Sequence, residues 1–133
     1  MYEDAAKVLK EVHLNYDPHA KLGTLSVSQM QLVEIAKAVS RDVRILILDE
    51  PTKGIDVGAK SEFYNMICSF AKQGLGVILI SSELPEVIGL SDRIIVMKGR
   101  QISGEIMREE ASETQLLSLA MIGKVEEITV RAK

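Results

Sequence analysis

The sequence predicts an α/β fold, with a mostly parallel sheet flanked by helices and an antiparallel hairpin toward the C-terminal end. Two aliphatic runs, Ile45-Leu46-Ile47-Leu48 and Val77-Ile78-Leu79-Ile80, have the length and near-continuous apolar character of parallel strands buried on both faces. Segments of helical period stand before, between and after them, and this alternation of strand and helix marks the α/β class. Gly99-Arg100 separates two further strand-like runs by the two residues of a tight hairpin, with Gly in first place.

The elements follow in order. Ala5, Val8, Leu9 and Val12 recur at helical spacing and predict a helix over Tyr2–His13, which Asn15-Tyr16-Asp17-Pro18 breaks. A loop continues through Gly23-Thr24, and Ser26 is the expected N-cap of a second helix reaching about Ser40, with Leu32, Ile35, Ala36 and Val39 as its apolar stripe. Arg44–Asp49 reads as a buried strand stopped by Pro51. A third helix from about Val57 to Gln73 gathers Ala59, Phe63, Met66, Ile67 and Phe70 on one side, ends at Gly74, and leads into a strand over Val77–Ser81. A short helix over Leu84–Gly89 precedes the hairpin strands Arg93–Lys98 and Gln101–Ile106. The last helix, Ser112 to about Ile122, presents Leu116, Leu117, Leu119 and Ala120. No internal repeat or low-complexity linker interrupts residues 1–133, so one domain is expected.

The 133 residues suffice for a core, and 47% hydrophobic with 26% charged is the balance of a soluble globular chain. Without Trp and with 4% aromatics, that core must be aliphatic. A net charge of −3 and no run of Lys and Arg argue against a nucleic-acid partner. The N-terminal residues do not read as a signal peptide, and no apolar run is long enough to cross a bilayer, so a cytoplasmic location is expected. Cys68 excludes an internal disulfide and is expected in the core beside Ile67 and Phe70. His13 and His19 are expected at the surface without metal. Met30, Met66, Met97, Met107 and Met121 are expected as core fillers, and Glu109-Glu110 and Glu126-Glu127 as solvated acids.

Chemistry enters at Asp49-Glu50, where acids close a strand at the end at which open α/β sheets bind ligands. In a nucleotide hydrolase the first acid organises Mg²⁺ through water and the second positions the attacking water or takes its proton. A plain polar turn after a strand would look the same. Two flanking features favour the chemical reading. Leu25-Ser26-Val27-Ser28-Gln29 opens a helix about twenty residues upstream, and Gly54-Ile55-Asp56 follows downstream.

This order resembles the signature motif, Walker B strand and D-loop of ABC ATPases, and the expected fold becomes a partial ABC-ATPase domain of P-loop NTPase type. The resemblance implies that Leu25, Ser26, Val27, Ser28 and Gln29 meet the γ-phosphate of ATP held by an opposite cassette. It implies that Asp49 serves Mg²⁺, that Glu50 serves the water, and that Asp56 couples the two sites. Asp17-Pro18-His19-Ala20 through Leu25–Ala38 is similar to the first cassette of the two-cassette subunits of bacterial monosaccharide importers. Thr52–Lys60, Ser81-Ser82-Glu83-Leu84-Pro85-Glu86 and Ser91–Met97 are similar to the second. Such a join implies an in-frame loss of intervening sequence, with the junction within Ile45–Thr52. Ser82 stands where most cassettes carry the His that contacts the γ-phosphate; the second cassette of this family commonly has Ser, which supplies a hydroxyl but no imidazole. Val27 and Ser28 replace usual glycines of the signature and crowd the backbone's approach to phosphate.

A P-loop needs Gly-rich backbone amides, a Lys and a Ser or Thr in the order Gly-x-x-x-x-Gly-Lys-Ser/Thr. The 133 residues contain none; Gly54-Ile55-Asp56-Val57-Gly58-Ala59-Lys60-Ser61 has Ala59 in place of the second Gly and Asp56 inside the cradle. The resemblance therefore implies an ATP-binding subunit of a sugar importer by descent, peripheral to the inner membrane beside a permease subunit, yet unable to bind or hydrolyse ATP with these residues alone. The alternative expectation is a non-catalytic interaction module that forms a homo-oligomer or pairs with a complete ABC cassette.

Overall fold

The structure, a computed structural model, describes residues 2–12, 14–41 and 43–123. The expectations for His13, Glu126 and Glu127 lie outside the described residues. The chain divides into two compact units, one ending at Ile80 and the other beginning at Ser81.

In the first unit, helix α1 (Tyr2–Glu11) contacts α2 (Val27–Val39). Ser26 caps α2 through a complete capping box: its hydroxyl accepts from the Gln29 N–H at 3.2 Å, and the Gln29 side chain accepts from the Ser26 N–H at 2.9 Å. Leu32, Ile35 and Ala36 are the buried face of that helix. Strand β1 (Ile45–Asp49) pairs in parallel with β2 (Gly76–Ile80), Ile47 opposite Ile78 and Asp49 opposite Ile80. Between them α3 (Val57–Lys72) packs on β2 and buries Phe63, Met66, Ile67 and Phe70. Its end is a Schellman motif. Gly74 takes φ +93°, its N–H donates to Ala71 O at 3.0 Å, and the Leu75 N–H donates to Phe70 O at 3.1 Å.

The second unit contains α4 (Leu84–Leu90), β3 (Arg93–Lys98), β4 (Gln101–Met107) and α5 (Glu113–Met121). β3 and β4 form the expected antiparallel hairpin, with an irregularity between Val96 and Met97. Gly99 and Arg100 both have positive φ, 55° and 67°, so the turn is type I′, the form whose twist suits a two-residue hairpin. Helix α5 lies on both strands, with Leu116 buried; the Ser103 hydroxyl donates to Leu119 O at 2.6 Å, and Gly104 sits directly under the Leu119 side chain.

Three expectations are corrected. β1 is buried on one face only: Leu46 and Leu48 are inside, whereas Ile45 and Ile47 are 62% and 63% exposed, and β2 alternates in the same way. Cys68 is exposed, because one residue's rotation of about 100° carries it off the stripe formed by Phe63, Met66, Ile67 and Phe70. Of the methionines expected in the core, Met66 is buried, whereas Met97, Met107 and Met121 are exposed, since they fall on the outward positions of β3, β4 and α5.

Candidate functional site

Asp49 is the last residue of β1 and lies on its exposed side. Glu50 follows at φ +45°, a left-handed conformation that a residue with a side chain adopts only at a cost. Its N–H donates to Ile80 O at 2.8 Å, extending the β1–β2 ladder by one bond and holding the turn against the end of β2. The segment then folds on itself. Lys53 N–H donates to Glu50 O at 3.2 Å, Ile55 N–H donates to Thr52 O at 3.0 Å, and Gly54 takes φ +79°. Thr52 is almost wholly buried, a polar residue that sequence reasoning did not single out.

Asp56 is the N-cap of α3, its carboxylate accepting from the Ala59 N–H at 3.0 Å. Asp49, Glu50 and Asp56 are thus brought onto one short segment at the carboxyl end of β1. Leu25–Gln29 is a separate local structure at the start of α2. There the Ser26 hydroxyl is engaged with Gln29 N–H and lies 2.8 Å from the Ser28 hydroxyl, so its oxygen serves the helix cap. Val27 is exposed at the first turn. A groove of about 420 Å³ between α1 and α2 is lined largely by apolar side chains, among them Val8, Leu9 and Val33, and of the predicted site residues only Leu25 reaches it.

Ser82, in the second unit, is exposed in the turn between Ser81 and Glu83. The side chain that holds this turn is its neighbour. The Ser81 hydroxyl accepts from the Glu83 N–H at 3.1 Å and donates to Glu86 Oε2 at 2.5 Å. Glu86 is only 4% exposed on α4. The sequence placed both residues in a motif but gave neither a role; the available signal was a Ser two residues ahead of an N–H and five ahead of a carboxylate, the spacing of a side-chain turn leading into a short helix.

The donor set suits a hydrated divalent ion better than a bare one. Among the described residues no group of three or more His, Cys, Asp and Glu could hold a metal, and Mg²⁺ at a single strand-end carboxylate would need both its own waters and the oxygens of a bound phosphate. A triphosphate fits less well, because the sequence supplies no P-loop and the Asp56 carboxylate occupies the start of α3.

The ABC transporter family matches residues 1–53. The chain is 51% identical over 110 residues to the ribose import ATP-binding protein RbsA of Caldanaerobacter subterraneus, covering 83% of this chain and 22% of that protein. It is 50% identical over 105 residues to the xylose import ATP-binding protein XylG of Moorella thermoacetica, covering 79% and 21%. The chain therefore spans about a fifth of the length of the curated relatives it matches. Among solved structures, MJ1267, an ATP-binding cassette of an ABC transporter, superposes with TM-score 0.76 at 29% identity over 88% of this chain and 48% of its own. Strand, signature-like helix start and acidic turn thus occur in a chain similar to sugar-import ATP-binding proteins in sequence and to an ATP-binding cassette in structure: it belongs to the ABC transporter family of ATP-binding proteins.

Proposed function

We propose that this chain carries the phosphate-sensing and water-activating part of an ATP-driven monosaccharide importer, and that its 133 residues neither bind nor hydrolyse ATP by themselves. The observation that carries this reading is the acidic turn at the end of β1, with Asp49 on the exposed side of the strand and Glu50 held in a left-handed conformation by its bond to Ile80. In this reading Asp49 holds Mg²⁺ through water, and the ion, when bound, neutralises charge on the terminal phosphates. Glu50 orients the attacking water and accepts its proton. Leu25–Gln29 faces the γ-phosphate of an ATP carried by an opposite cassette, where a helix N-terminus favours an anion. Asp56 couples that site to its neighbour through α3, and Ser82 supplies a hydroxyl near the γ-phosphate. The partners are a membrane permease subunit and a complete ABC cassette, and the location is the cytoplasmic side of the inner membrane.

Titration of the purified chain with labelled ATP and Mg²⁺ tests the first half. Micromolar affinity corresponds to about −8 kcal/mol, more than an acid pair without a phosphate cradle supplies, so none is expected. In a reconstituted two-cassette assembly, Glu50→Gln is expected to abolish turnover; unchanged hydrolysis would remove Glu50 as the base.

A second reading, a non-catalytic module that forms a homo-oligomer or docks on another cassette, is favoured by the open two-stranded sheet. Light scattering over a concentration series separates it from a monomer awaiting its nucleotide-binding partner.

A further inference from the structure

Helix α4 starts differently from α2 and α5. Its N-cap, Glu83, makes no side-chain capping bond. In a capping box the N3 side chain reaches back to the N-cap N–H, and Ser26–Gln29 and Ser112–Gln115 do this directly, through solvent-exposed bonds. In α4 the N3 residue is Glu86, and the Ser81 hydroxyl stands between: it accepts from the Glu83 N–H at 3.1 Å and donates to Glu86 Oε2 at 2.5 Å. The box is thereby widened, and it closes around Ser82, whose two chain neighbours are the groups joined. It is also buried and charged, since Glu86 is only 4% exposed. A carboxylate taken out of water is held by charge-assisted hydrogen bonds, which are shorter and stronger than neutral ones. Capping a helix of seven residues does not require that, as the exposed Ser–Gln boxes of the same chain show.

The same stretch is anchored from its other end. Ile80, directly before Ser81, offers the carbonyl that holds the Glu50 N–H at 2.8 Å. Residues 80–82 therefore run without a break from the anchor of Glu50 to Ser82. A serine side chain is short and turns about one torsion, so the backbone beneath it sets where its hydroxyl can reach. We infer that Ser81 and Glu86 are positioning residues for Ser82: bonded across it, they fix the turn from which the Ser82 hydroxyl approaches the γ-phosphate, and neither touches the nucleotide. The inference rests on the reading of Ser82 as a γ-phosphate contact and adds what aims it. A displacement of about 1 Å can cost about a hundredfold in rate, so loss of the clasp acts on turnover before it acts on binding.

The test is steady-state ATP hydrolysis by the reconstituted two-cassette assembly, with the chain carrying Ser82→Ala, Ser81→Ala, Ser81→Thr, Glu86→Gln or the Ser81→Ala/Ser82→Ala pair. Ser81→Ala is expected to lower kcat about tenfold and to move KM for ATP by less than about twofold. Ser81→Thr keeps the hydroxyl and is expected to restore kcat. Glu86→Gln keeps an acceptor without the charge and should fall between the two. Since Ser81 acts through Ser82, the double variant is expected to be no slower than Ser82→Ala alone, whereas a merely structural loss would add to it. Circular dichroism at the assay temperature checks folding; if Ser81→Ala does not fold, Glu86→Gln combined with Ser82→Ala closes the same cycle. Losses that add in the cycle, or a Thr variant as slow as the Ala variant, overturn the inference and leave the Ser82 contact standing. Full turnover by Ser82→Ala removes that contact and the inference with it, while Glu50→Gln reads the water-activating role separately.

Discussion

Ser81 donates its hydroxyl proton to Glu86 across five residues, at 2.5 Å, while accepting the Glu83 N–H at 3.1 Å. One small side chain thus ties the turn containing Ser82 to a carboxylate that is almost completely buried on α4.

Removing either partner is expected to destabilise the chain. Ser81→Ala leaves a buried carboxylate short of a donor and should cost about 1–3 kcal/mol. Ser81→Thr, which keeps the hydroxyl, should recover most of it. Urea denaturation of the three chains measures the difference; equal midpoints for Ala and Thr would refute the bond's contribution.

Gly104 lies where a methyl group cannot fit without movement. A Cβ there would stand 2.7 Å and 2.9 Å from the two terminal carbons of Leu119. Gly104→Ala is expected to push the flexible end of Leu119 off its rotamer, at about 0.5–1.5 kcal/mol. Shortening the opposing side chain in Gly104→Ala/Leu119→Ala should give a coupling energy of about 0.5–3 kcal/mol in a double-mutant cycle. Additive losses would mean that the crowding is relieved elsewhere.

The capping box of α2 offers a third measurement. Ser26→Ala removes the acceptor for the Gln29 N–H and is expected to cost about 1 kcal/mol, whereas Ser26→Asp should cost less because Asp also caps. Thermal melts followed at 222 nm report both.

Tyr16 provides a test by pH. Its phenol is pushed above the ordinary tyrosine value, first by partial burial and then by the negative charge and hydrogen bond of Glu62, 3.4 Å away. The folded state therefore holds the proton more tightly than the unfolded one. The stabilisation is complete below the unfolded value of 10.0 and is lost as pH rises through the higher folded value. As pH rises past 10.0, the melting temperature should fall more steeply for the unaltered chain than for Tyr16→Phe. Parallel curves would exclude this linkage.

Much of the fold was readable because its boundaries are chemical. Ser26 and Gln29 announce the start of α2, Gly74 ends α3, and Gly99-Arg100 turns the hairpin. The exposed face of the sheet was not readable, since β1 sets Leu inward and Ile outward and both are equally apolar. Period-two alternation exists in the burial but leaves no trace in the polarity of the residues. In the candidate site, the strand-end acids and the helix start were found by residue type and spacing. Glu86 was missed because a glutamate on a short helix reads as solvated until its partner is known. Asp56 stands out in the sequence for its place in a motif, while its role as the α3 cap is visible only in the fold.

The backbone at position 50 carries a further consequence. A side chain in the left-handed region costs about 1–2 kcal/mol that glycine escapes, partly offset by glycine's greater chain entropy. Selection of this chain for heat resistance alone would drift toward glycine there and erase the carboxylate. A retained glutamate in a hardened variant would signal that something other than sturdiness keeps it.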